Sequence, residues 1–141
     1  MISKSALKAK ILRSGVNLTE TFLGDDIKQN INVEDVVSLF LLEDEEVLLI
    51  FNDHIEGWIL TGKRLILPKT LNQILVKDME KIDFDDIKEE KSSKKDNITL
   101  YIHLKNGNKQ KIKVEDKTWF LFYDIFRWII NKEKKETLTS S

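Results

Sequence analysis

Along the middle of the chain the apolar residues come in short runs broken by polar or turn-forming residues. The runs VLLIFN (47–52), WILT (58–61), RLIL (64–67), QILVKD (73–78) and ITLYIHL (98–104) are rich in β-branched and large apolar side chains. Runs of that length and composition predict strands. KIDFDDIKEE (81–90) and KQKIKVE (109–115) alternate apolar and polar positions, as a half-buried strand does. NDHIEG (52–57) reads as a turn, KSSKKDN (91–97) as a charged loop, and Asn106-Gly107 as a tight hairpin turn.

The two ends of the chain have a helical period instead. Residues 3–14 place Leu7, Ile11 and Leu12 on one side, with Gly15 as a stop. VNLTETFLGDDIKQNI is mixed and admits a second short helix. Asn32 has the character of an N-cap for a helix from Val33 to Leu42, with Val36, Val37, Phe40 and Leu41 at helical spacing. After Asp116 or Thr118 as cap, TWFLFYDIFRWIIN (118–131) predicts the last helix. Trp119, Phe122, Tyr123, Phe126 and Ile130 share one face, Phe120, Leu121, Ile125, Trp128 and Ile129 fill much of the rest, and the tail NKEKKETLTSS is expected to fray.

Gly57 to Lys63, in GWILTGKRLILP, has the spacing of a phosphate-binding loop. Such a loop turns small, flexible residues so that backbone N–H groups face the phosphates, and it follows its lysine with Ser or Thr for the metal. Here Trp58, Ile59, Leu60 and Thr61 fill the interval, and Arg64 stands where the hydroxyl is needed. The stretch predicts a strand, a turn at Gly62-Lys63 and a second strand stopped by Pro68.

Composition narrows the function classes. The 141 residues suffice for one domain with a core, and the formal net charge of −1 lacks the basic footprint of a general nucleic-acid binder. There is no cysteine, which excludes disulfides, thiolate metal sites and cysteine nucleophiles. MISKSALKAKILRSG lacks the continuous apolar core of a secretory signal, and no apolar run reaches the ~20 residues that span a bilayer. A cytoplasmic location is expected.

Six or seven short antiparallel strands followed by one aromatic helix predict an α+β, mainly antiparallel fold. Its bent sheet or partly open barrel is plugged by the C-terminal helix, with short N-terminal helices. The ordered segments EEVLLIFND, GWILTGKRLILP, KIDFDDIKEE, ITLYIHLKNGNKQKIKVE and the helix from Trp119 resemble a bacterial pleckstrin-homology-like (PH-like) domain. Leu60-Thr61-Gly62-Lys63-Arg64-Leu65-Ile66 is similar to a hairpin typical of that family. The resemblance covers residues 43–133, leaving 1–42 as a helical appendage and 134–141 as a polar tail. Family members that bind phosphoinositides cluster Lys and Arg at the first hairpin. NDHIEG is acidic there, so the resemblance implies the fold's other common use, protein interaction or self-assembly.

Candidate sites follow. Lys63 and Arg64 are a candidate anion contact at a hairpin tip. His54 and His103, the two histidines, would need to converge with carboxylates to hold a metal. Glu89-x-Lys91, with Asp83, Asp85 and Asp86 upstream, echoes part of a nuclease acid–x–lysine pattern without its helical setting. Six of the twelve aromatic residues fall between Trp119 and Trp128. Either one face of this helix packs on the sheet while the N-terminal helices cover the other, or Phe120, Tyr123, Arg127 and Trp128 form an interaction surface.

The sequence thus predicts a non-enzymatic module of PH-like fold that binds a protein partner or itself, without cofactor, metal or nucleic acid. One alternative is a peripheral binder of anionic membrane or ligand, using Lys88, Lys91, Lys94, Lys95, Lys109, Lys111 and Lys113. Another is a small bacterial or phage accessory or inhibitor protein that acts by binding a protein.

Overall fold

The computed structural model describes residues 3–24, 46–51, 53, 57–68, 72–84, 99–115 and 117–139. Five strands form one antiparallel sheet in sequential order: β1 (Thr21–Leu23), β2 (Val47–Phe51), β3 (Trp58–Thr61), β4 (Arg64–Leu67) and β5 (Asn72–Leu75). Three more form a second: β6 (Met79–Phe84), β7 (Leu100–Leu104) and β8 (Lys109–Ile112). A 3₁₀ turn, Val76–Asp78, carries the chain from one sheet to the other. Helices α1 (Lys4–Ser14) and α2 (Trp119–Thr139) complete the described elements. The fold is α+β and mostly antiparallel, as expected, but the two sheets do not close into a barrel, and the described strands number eight rather than six or seven.

The added strand is β1. VNLTETFLGDDIKQNI admitted a short helix, yet Thr21–Leu23 pairs antiparallel with β2, Phe22 opposite Ile50. Thr and Phe suit a pleated surface, and the neighbouring Thr19 and Glu20 amides bond to Glu115 rather than into a helix. The predicted helix from Val33 to Leu42 lies outside the described residues. In α1, Leu7 and Ile11 are buried but Leu12 is 71% exposed, so its core stripe is one residue wide. Ser3 caps this helix through its hydroxyl, and Gly15 ends it. Residues 3–24, set apart from the sheet domain in the sequence reading, contribute core side chains and an edge strand.

The runs of apolar residues in β2, β3 and β4 bury both faces of the first sheet. Phe51, Trp58, Leu60, Leu65 and Leu67 belong to the main core. Ile50, Ile59 and Ile66, paired across the strands, form a second buried row on the opposite side. Trp58 sits at the centre of the main core, 1% exposed. Its ring lies 5.9 Å from Phe51 and 5.8 Å from both Phe122 and Phe126, in tilted or edge-on contact. Its indole N–H donates to the Lys113 carbonyl at 2.7 Å, just past β8. One side chain therefore ties the first sheet, the second sheet and α2 together.

Segment GWILTGKRLILP is a hairpin. Thr61 Oγ1 accepts from the backbone N–H groups of Lys63 and Arg64, at 3.1 and 3.0 Å, which fixes the turn. A Cβ on Gly57 would lie 2.6–2.7 Å from the carbonyl oxygens of Asp53 and Phe51. That glycine is required by backbone crowding, and the oxygens it faces would repel a phosphate. Gly107, at φ 92°, supplies the left-handed residue of the β7–β8 turn, where Asn106 Oδ1 accepts from the Asn108 amide at 2.9 Å.

α2 runs eight residues past the predicted end. Its polar last turns consist of good helix formers, and Lys134 is anchored to Glu80 on β6 at 3.2 Å. The buried face comprises Leu121, Phe122, Ile125, Phe126, Ile129 and Ile130. Trp119 and Tyr123, grouped by period with Phe122, Phe126 and Ile130, are only half-buried, and Leu121, Ile125 and Ile129 complete the inward face. The helix packs on β6 and the 3₁₀ turn, with α1 against another flank. No helix among the described residues is long and apolar enough to cross a membrane.

Trp58→Phe keeps the ring contacts but strands the Lys113 carbonyl and leaves a small void. We expect a loss of about 2–3 kcal/mol in urea unfolding. An unchanged midpoint would show that the hydrogen bond contributes nothing.

Candidate interaction site

The edge of α2 beside β6 brings an aromatic cluster next to a polar cleft. Phe84, the last residue of β6, packs on Trp119 at 5.1 Å and meets the Tyr123 ring edge-on at 5.3 Å. Phe120 stands edge-on to Trp119 at 6.2 Å and is 49% exposed. The other three rings are half-buried. Phe120 extends this cluster through Trp119.

From Tyr123 the aromatic cluster opens into a cleft of about 290 Å³ between α2 and β6. Ile82 and Ile130 are its apolar lining, and Lys81, Tyr123, Arg127 and Asn131 supply polar groups. Tyr123, Arg127, Ile130, Asn131 and Lys134 are spaced i, i+4, i+7, i+8 and i+11, one stripe of the helix. Glu80 also lines the cleft, and its carboxylate is paired with Lys134. Phe84 meets the start of α2 and Glu80 meets its later turns, so strand and helix run antiparallel along a groove with an aromatic end and a charged end.

The four helix residues singled out from sequence therefore do not form one patch. Phe120, Tyr123 and Arg127 lie on the outer and β6-facing sides. Trp128 lies on the α1 flank, half-buried, with Lys10 Nζ 5.3 Å from its ring centroid. Lys10 also pairs with Asp124, one turn earlier, at 2.9 Å. α1 thus covers Trp128 and leaves Phe120 open.

The other candidates are dispersed. Arg64 donates to Gln73 Oε1 on β5, whereas the Lys63 carbonyl accepts from Val76 N of the 3₁₀ turn at 2.9 Å and the residue is exposed. His103 Nε2 lies 3.6 Å from Asp83 on the neighbouring strand. No group of three or more His, Cys, Asp or Glu able to hold a metal occurs among the described residues. His54, Asp85, Asp86, Glu89 and the lysines 88, 91, 94 and 95 lie outside the described residues. Of the three lysines near β8, Lys113 pairs with Asp53 at 2.9 Å and Lys109 lies 4.7 Å from the Tyr101 ring centroid.

Sequence reasoning missed Glu115. This carboxylate is 6% exposed and accepts four hydrogen bonds from the β1 end of the chain. Its donors are Thr19 N at 2.8 Å, Thr19 Oγ1 at 3.1 Å, Glu20 N at 2.6 Å and Thr21 Oγ1 at 3.1 Å. It clasps the first strand to the segment that leads into α2. The Thr-Glu-Thr triplet was its one signal, and nothing local links that triplet to a residue over ninety positions away.

Searches against protein-family models, curated proteins and solved structures gave no match for this chain.

Glu115→Ala leaves two amides and two hydroxyls facing a void. A loss of about 3 kcal/mol in denaturant unfolding is expected, with hydrogen exchange at residues 19–23 rising more than at β3. Uniform exchange, or no loss, would contradict the clasp.

Proposed function

We propose that this protein is a non-enzymatic interaction module of PH-like architecture, which binds a protein partner through the edge formed by α2 and β6. The observation that carries this reading is Phe120, 49% exposed and edge-on to Trp119 at the end of a cluster of half-buried rings beside an open cleft. Exposed aromatic groups set in well-packed surroundings are typical of binding hot spots. Phe120 is set beside three further aromatic side chains and a polar cleft, whereas Leu12 is exposed on α1, away from that cluster. The PH-like reading is supported by the order of elements: consecutive antiparallel strands, a second small sheet and a closing C-terminal helix. The second sheet and the helix together provide the edge.

A photo-crosslinking amino acid at position 120 tests this in the native cell, with position 12 as an exposed control. A discrete adduct from 120 and none from 12 is expected, and light scattering of the purified chain separates a second copy from a different partner. Equal labelling at both positions, or none at 120 in a chain that stays monomeric, would contradict the reading.

A further inference from the structure

The occupant of this groove can be narrowed by charge and spacing. Glu80, the carboxylate lining the cleft, is matched by Lys134. Lys81 and Arg127 line the same space and have no ion-pair partner among the described residues. Tyr123 and Asn131 add neutral groups able to donate hydrogen bonds. The cleft therefore carries a net positive charge with a guanidinium, whose planar fork suits a carboxylate. Beside it lies the apolar cluster of Phe84, Trp119 and Phe120, which suits an uncharged apolar side chain. Seven helical positions separate Phe120 from Arg127, about 10.5 Å at 1.5 Å per residue. A segment in the extended polyproline II conformation, with three residues per turn and about 3.1 Å per residue, covers about that distance in three residues and points both side chains the same way.

Resting on the interaction reading above, we infer that the α2–β6 groove recognises an extended acidic segment of a protein partner. An apolar or aromatic side chain of that segment sits on Phe120 and Trp119, and an Asp or Glu three residues away sits between Lys81 and Arg127. The apolar contact and the carboxylate contact are both required. A small free anion satisfies only the second, and the aromatic platform beside the cleft favours the peptide.

The test uses the full chain, labelled with ¹⁵N, and blocked peptides. One has the order Ser-Phe-Ser-Ala-Glu-Ser, one the reverse order Ser-Glu-Ala-Ser-Phe-Ser, and each has a version with Gln in place of Glu. The expected result is saturable amide shifts for one order below about 1 mM, confined to residues 80–84 and 119–134. Replacing Glu by Gln in that peptide, or Arg127→Gln in the protein, should weaken binding about tenfold. Arg127 is exposed, so the variant should keep its amide spectrum elsewhere. Equal binding of the Glu and Gln peptides, or no binding of either order, would overturn the acidic-segment inference. So would equal shifts from inorganic phosphate alone, which would make the cleft a small-anion site. In all three cases a specific crosslink from position 120 would leave the broader interaction reading standing.

Discussion

The indole of Trp58 is the contact on which the rest of this structure depends. It lies on the first sheet, touches Phe122 and Phe126 of the last helix, and hydrogen-bonds the chain as it leaves the second sheet. Both sheets and α2 contribute buried side chains to one core. The tryptophan provides a shared centre around which all three bury. Its N–H is satisfied there, which is the condition for placing an indole in a core.

That centre also decides which part of α2 is left over. Six residues from Leu121 to Ile130 are drawn inward. One flank is closed by α1, where Lys10 lies over Trp128 and pairs with Asp124. The other meets the edge strand β6, which is too narrow to cover the whole flank. Its last residue, Phe84, props up Trp119 and Tyr123, and Phe120 remains outside. The open groove follows from a helix broader in apolar surface than the sheet beside it. Glu115 secures the arrangement from behind, holding β1 to the approach of the helix.

Much of this architecture was legible from local pattern. The strands at 47–51, 58–61, 64–67 and 100–104, and the hairpin at Asn106-Gly107, follow from runs and turn chemistry that involve only near neighbours. The failed P-loop also resolved locally, since Trp58 and Ile59 cannot line a phosphate nest. What was hidden depends on distant partners. β1 is three residues long, and its identity comes from pairing with β2 and from a carboxylate near the far end of the chain. The inward face of α2 was hidden for a related reason. Nearly every position between 119 and 130 is apolar, so periodicity alone leaves the inward face undetermined, and Phe84 on β6 and Lys10 on α1 set it. Phe120, Tyr123 and Arg127 were chosen as a surface on composition, and geometry keeps them together while assigning Trp128 to the α1 flank.

The central claim is that α2 has separate jobs on its two sides, core on one and contact surface on the other. Urea unfolding of Phe126→Ala and Phe120→Ser, measured side by side, tests it most directly. Phe126→Ala should cost about 3–5 kcal/mol, whereas Phe120→Ser should stay within about 0.5 kcal/mol of the parent. If Phe120→Ser destabilises the fold as much as Phe126→Ala, then Phe120 is core and the groove is not a free surface.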